Sequence, residues 1–191
     1  MTAAPSPRHD RVVELSADQL RQRLGEAIEI YVNAMGYPTS TAQQRAPMWS
    51  AHMLRPGWRC VGAFNEQDEL VGVGYGYLGN TGQWWHEQVR RGLLARHEDD
   101  AVETWLNDYF ELTELHVRPD SQGGGLGEEV LRTLLDGASG GKVLLSTPEG
   151  PTRAWRLYRR VGFQDVLRDY HFTGDPRPFA VLGRPLPLDP R

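Results

Sequence analysis

Apolar positions recur along this chain with two different periods, and the switches between them mark its elements. Arg11–Leu15 alternates as a strand does, whereas from Ser16 to about Leu54 the apolar positions return every three or four residues, with a break near Gly36-Tyr37-Pro38. This pattern predicts one strand followed by two helices. Ser16 stands three residues before Gln19, the spacing of a capping box, and Leu20, Leu24, Ala27 and Ile28 then share one helical face. Trp58–Phe64 and Glu69–Leu78 alternate again, and the polar Asn65-Glu66-Gln67-Asp68 joins them at hairpin length. In the second of these strands Val71, Val73, Tyr75 and Tyr77 alternate with Gly72, Gly74 and Gly76, so one face is bulky and the other bare. A bare face suits a ligand floor, close helix packing or a bulge.

Residues 79–109 form a long excursion with helical patches, a length that compact domains seldom keep between strands without a function or helices of its own. Beyond it the pattern predicts strand Phe110–Val117, helix Leu126–Asp136, strand Lys142–Thr147, helix Thr152–Val161, and strands Phe163–Phe172 and Pro178–Leu182. Strands alternating with helices imply an α/β class, a mixed α+β sheet with a crossover. The expected organisation is a flexible segment over 1–10, a single domain over 11–183 and a proline-rich tail over 184–191.

A chain of 191 residues has room for one domain, and its 39% of hydrophobic residues is ordinary for a globular protein. The longest run free of polar residues, Leu70 to Gly79, is too short to cross a membrane, and the first ten residues lack the apolar core of a secretory signal. The lone Cys60 excludes an internal disulfide and a thiolate-rich metal site; the six histidines show no compact ligand spacing. These features imply a cytoplasmic protein without a metal. A net charge of −4 argues against a nucleic-acid partner.

The most informative chemistry lies at Val117-Arg118-Pro119-Asp120-Ser121-Gln122-Gly123-Gly124-Gly125-Leu126-Gly127, where a strand runs into a glycine-rich turn that opens an amphipathic helix. Glycines expose backbone N–H groups, and the first N–H groups of a helix have no internal partner, so the turn is an anion site suited to phosphate. The Lys-Ser/Thr pair of a P-loop is absent. Gln122, Gly125 and Gly127 fit Gln/Arg-x-x-Gly-x-Gly/Ala instead, and this turn resembles the signature of the GNAT superfamily of N-acetyltransferases. Thr152-Arg153-Ala154-Trp155-Arg156-Leu157-Tyr158-Arg159-Arg160-Val161-Gly162-Phe163 is similar to the superfamily's Ala-x-x-Leu-Tyr-x-x-x-Gly-Phe segment. The motifs cover about residues 110–166 and imply the acyl-CoA N-acyltransferase fold, with acetyl-CoA as donor. Two departures stand out: Pro151 replaces an asparagine, and Glu128-Glu129, expected to point outward, replace a basic residue.

The resemblance places Leu115, His116 and Val117 against the thioester and pantetheine, and Gln122, Gly123, Gly124, Gly125, Leu126 and Gly127 around the pyrophosphate. Tyr158 falls on the superfamily's general acid, although a buried helix face also suits a core tyrosine. Glu111 is the first candidate for the base and Glu114 the second; by strand alternation Glu114 and His116 lie on the face opposite Glu111. Seven acidic residues from Glu98 to Glu114, unrelieved by Lys or Arg, favour a cationic acceptor or form a solvated face. Trp84, Trp85 and Tyr75 are candidates for holding the acceptor, and the two tryptophans could equally anchor the excursion to the core. His52, Trp49 and Arg45 share one helical face, a pattern of packing. The implied activity is acetyl transfer to a primary amine of a small molecule or peptide, by direct attack in a ternary complex of a monomer or homodimer. A catalytically silent CoA-binding protein and transfer of a longer acyl group are the alternatives.

Overall fold

The computed structural model describes residues 10–191, so all of the expected N-terminal segment except Asp10 lies outside the described residues. Seven strands form one sheet: β1 Arg11–Leu15, β2 Arg59–Phe64, β3 Leu70–Leu78, β4 Tyr109–Val117, β5 Lys142–Pro148, β6 Gln164–Tyr170 and β7 Phe179–Pro185. Their spatial order is β1-β2-β3-β4-β5-β7-β6, antiparallel throughout except for the parallel β4–β5 pair. Helix α6 (Leu126–Asp136) makes the crossover that a parallel pair requires. The expected α/β class and the succession of seven strands along the chain are those of the structure.

The helices are more numerous than the periodicity predicts. The Ser16–Gln19 capping box forms, but the first helical stretch breaks at Arg23 into α1 (Ala17–Gln22) and α2 (Leu24–Met35). At the break the Arg23 guanidinium reaches Asp68 in the β2–β3 turn, 2.8 Å away, and lies over the Phe64 ring. Gly36, in the left-handed conformation at φ 67°, ends α2 before α3 (Thr41–His52). The excursion supplies α4 (Trp84–Ala95) and α5 (Asp99–Trp105). No helix among the described residues is long and apolar enough to cross a membrane.

Helices α1 to α5 cover one face of the sheet, burying Leu20, Ile28, Trp49 and Tyr75 at one end and Trp85, Val89, Leu93 and Leu144 at the other. Helices α6 and α7 (Arg153–Arg160) cover the opposite face, where Val130, Leu131 and Leu134 meet Val61, Val71 and Phe110. The glycines of β3 serve this packing and are no ligand floor. A Cβ on Gly74 would stand 3.1 Å from Val130, and one on Gly76 would meet the Glu111 carbonyl and the Phe110 ring. The C-terminal boundary also shifts: β7 runs through Arg184 and Pro185, where the sequence suggests a tail. Pro185 lies beyond the last β6 partner at Gly183, so its missing N–H leaves no acceptor stranded on that side. Arg184 is buried against the Val161 carbonyl at 2.6 Å, and Leu186 and Leu188 pack on the core.

Candidate active site

The site starts from a parting of two strands. β4 and β5 pair only at Tyr109–Glu111 with Lys142–Leu144. From Leu112 to Val117 the β4 edge has no β5 partner, and a cavity of about 1060 Å³ opens there, lined by both strands, the glycine turn, α7 and the start of α4. Unpaired strand edges present backbone N–H and C=O groups to whatever enters.

At one end lies the turn. Gly123 and Gly125 adopt φ values of 87° and 84°, which L side chains rarely adopt, and Gly125 opens α6 without a side-chain cap. The first helical bond runs from the Glu129 N–H to the Gly125 carbonyl, so the N–H groups of the preceding turn remain available to an anion. The Gln122 side chain donates back to the Val117 carbonyl at 2.9 Å and holds the turn's shape. Glu129 points outward as expected, but Glu128 does not: it is 15% exposed and pairs with Arg132 and Arg160 at 2.9 Å each. Those bonds hold its carboxyl below the usual range. Arg153, Arg156 and Arg160 line the same end of the cavity, and the Arg153 guanidinium overlies Gly123. A phosphate-bearing donor fits a turn with free N–H groups and arginines from the facing helix. The spacing of those arginines by three and four residues on one helical face was visible in the sequence and overlooked.

Farther along, β4 carries a bulge. Tyr75 faces Glu114 while the next residue, Gly76, faces Leu112, so Thr113 is the extra residue. A bulge resets the alternation, and Glu111 and Glu114 therefore project to one face, with Tyr77 and Tyr75 opposite them; the expectation of opposite faces is corrected. The two carboxyls differ in access. Glu114 lines the cavity and pairs with the His116 Nε2. Glu111 is buried outside the cavity lining, and its Oε2 finds no partner among the described residues. Burial pushes its carboxyl up to about 7, against the pull of Arg55, Tyr77 and Thr113.

Tyr158 is 6% exposed, packs its ring at 5.4 Å from Phe163, and lines the cavity. Burial and the charge of Glu114 both raise its phenol, keeping the proton on. Leu115 and Val117 line the gap while their side chains pack toward α6; His116 turns to the other face, 5.0 Å from the Tyr31 ring. Trp84 is half exposed beside Phe172, and Trp85 is buried. Both line the cavity, so the excursion forms part of its wall. Tyr75 does not line it: it is fully buried, with its hydroxyl 2.8 Å from the His52 Nδ1. Burial first, then Arg55 and Arg45, lowers that histidine to about 4, so it is neutral at pH 7. The acidic run at Glu98, Asp99, Asp100 and Glu103 is exposed at α5 and does not line the cavity. Cys60 is a buried β2 residue whose thiol burial pushes up, well away from the thiolate form.

Anion capture at one end of a split sheet, with ionisable groups beside the split, suits the movement of an acyl group from a phosphate-bearing carrier to a nucleophile. The fold and site define an acyltransferase. Residues 24–163 match the Acetyltransferase (GNAT) family, and the chain belongs to that family. It is 46% identical to the GCN5-like protein acetyltransferase Rv2170 of Mycobacterium tuberculosis over 93% of this chain and 98% of that one. The fold is shared with the ribosomal-protein-S18-alanine N-acetyltransferase of Escherichia coli, with a TM-score of 0.61 at 16% identity over 92% of this chain and 93% of that one. It is also shared with the PaiA N-acetyltransferase of Thermoplasma acidophilum, solved with coenzyme A, with a TM-score of 0.56 at 13% identity over 93% and 99%. The protein is thus an acyltransferase of the GNAT family.

Proposed function

We propose that this enzyme transfers the acetyl group of acetyl-CoA to a primary amine of a small molecule or peptide by direct attack within a ternary complex, in the cytoplasm. The observation that carries the reading is the cavity, which runs without interruption from the glycine turn and its arginines, along the unpaired β4 edge, to Glu114, Tyr158 and Trp85. Both substrates can therefore meet without a covalent enzyme intermediate.

In this reading the N–H groups of Gly123 to Gly127 take the pyrophosphate, and Arg153 and Arg156 take the remaining negative charge of the donor, Arg160 being paired with Glu128. The free β4 edge from Leu115 to Val117 aligns the pantetheine and polarises the thioester carbonyl. The amine nitrogen forms its bond to the carbonyl carbon, the C–S bond breaks, and the amine's surplus proton goes to Glu114 through or beside His116. Tyr158 gives its proton to the departing sulfur. Glu111, ranked first as base from the sequence, is the weaker candidate, because it does not line the cavity. Its place is taken by Glu114.

Calorimetric titration with acetyl-CoA tests the donor half without a known acceptor. Micromolar binding, about −8 kcal/mol, is expected, followed by thiol release with a panel of primary amines. No binding up to millimolar donor would remove the reading.

A further inference from the structure

Charge is unevenly settled along the cavity. At the donor end Arg160 is paired with Glu128, and Arg153 and Arg156 have an evident use in the phosphates. At the far end the lining charges are Glu114, His116, Asp175, Arg177 and Arg45. Glu114 is paired with His116; Asp175 is paired with Arg177 at 2.8 Å, and Arg177 also donates to the Tyr37 hydroxyl at 2.6 Å. Arg45 remains. Among the described residues no carboxylate pairs with it: its guanidinium lies 5.3 Å from the centroid of the Tyr31 ring and only touches the Met48 sulfur at 4.0 Å.

A half-buried guanidinium on a cavity wall, 5.3 Å from a tyrosine ring centroid, presents a planar fork that suits a planar anion. Its charge opposes the burial-driven rise of the Tyr31 phenol and adds to the burial-driven lowering of His52. Arg45 and His116 both stand about 5 Å from the same Tyr31 ring, on α3 and β4 respectively, and are therefore at most about 10 Å apart. An extended chain covers about 3.3–3.6 Å per residue. A carboxylate one or two residues from an amine positioned at Glu114 and His116 comes within reach of Arg45.

We propose that Arg45 binds a carboxylate of the acceptor, and that the preferred acceptors are acidic peptides whose carboxylate lies one or two residues beyond the amine. This rests on the acetyl-transfer reading above and names the substrate class of that same site. It also reverses the charge favoured by the acidic run in the sequence, because Glu98, Asp99, Asp100 and Glu103 do not line the cavity and Glu114 is paired with His116, whereas Arg45 lines it with no carboxylate partner among the described residues.

The test titrates the full-length protein, saturated with coenzyme A, with two tetrapeptide amides, Ser-Glu-Ala-Ala and Ser-Gln-Ala-Ala. The acidic peptide is expected to bind at least tenfold more tightly. In Arg45→Gln the ratio of the two affinities should fall to about one, and Arg45→Lys should recover part of it; coenzyme A affinity in each variant reports that the fold and the donor end persist. A ratio at or below one in the unaltered protein, a preference that survives Arg45→Gln, or no binding of either peptide overturns the proposal. Failure of the acetyl-transfer reading looks different: coenzyme A itself does not bind, or bound peptide gives no thiol release from acetyl-CoA.

Discussion

Trp85 donates its indole N–H to the Ser146 hydroxyl over 3.0 Å, and that bond ties α4 to the stretch of β5 that has parted from β4. The helix inserted between β3 and β4 thus fastens itself to the rim of the opening. Gln88, one turn further along, accepts from the Tyr170 hydroxyl at 3.2 Å and the Thr173 N–H at 3.4 Å, fixing the β6–β7 connection to the same helix. That part of the cavity wall is therefore bonded to the sheet on two sides.

Removing the first of these bonds should loosen that wall. Trp85→Phe is expected to cost about 1 kcal/mol of stability, the usual worth of one hydrogen bond, and to raise KM for the amine while coenzyme A affinity hardly moves. Denaturant melts together with separate titrations of donor and acceptor check both parts.

Tyr158→Phe keeps the ring that packs against Phe163 and removes the hydroxyl that would give its proton. Turnover should fall by roughly 10²-fold or more, the usual scale for a lost general acid, with little change in coenzyme A binding. Thiol release under saturating substrates decides it; unchanged kcat would take Tyr158 out of the mechanism.

Glu111 makes stability depend on pH in an unusual direction. Its carboxyl sits at about 7 in the folded protein and near 4.5 when unfolded, so between those values the folded state binds more protons. Its contribution is full below about pH 4.5 and is lost as pH rises through about 7. Glu111→Gln should flatten this slope and gain on the order of 3 kcal/mol relative to the unaltered protein at pH 8. Thermal melts at pH 5 and pH 8 measure the difference.

In the glycine turn, two neighbours should respond differently to one methyl group. A Cβ has open space at both Gly124 and Gly125, but only Gly125 has a positive φ, at 84°. Gly125→Ala should cost roughly 1–2 kcal/mol of backbone strain and weaken donor binding, whereas Gly124→Ala should fold normally. Paired melts and acetyl-CoA titrations separate strain from contact.

The bracketed elements were the legible ones. Gly125 and Gly137 flank α6, whose apolar stripe from Leu126 to Leu135 fixes its limits, and the sequence boundaries coincide with the observed Leu126–Asp136. The glycine turn was legible from local spacing, whereas Tyr158 stood out only through the resemblance of residues 152–163 to the family's Ala-x-x-Leu-Tyr segment. The bulge at Thr113 was not. Strict alternation separates Glu111 from Glu114, and a single extra residue, invisible to any periodicity, brings them to one face. Arg45 was grouped with Trp49 and His52 as packing, and only the placement of α3 beside Tyr31 turns it toward the cavity. The excursion's helices were anticipated as patches, yet their attachment to β5 depends on contacts between residues 61 positions apart in the chain, such as Trp85 and Ser146.

With the donor lying in the gap between β4 and β5, as proposed, the protein's endurance would depend on its supply of donor. A ligand that lies along an unfinished strand edge binds the folded chain and not the unfolded one, so it stabilises by RT ln(1 + [L]/Kd), about 2.7 kcal/mol at a hundredfold excess over Kd. Amide protons between Leu112 and Val117 that exchange freely with solvent in the empty enzyme should slow when the donor arrives. A cell short of donor would then hold a less durable enzyme, and the abundance of the protein would follow the metabolite it consumes.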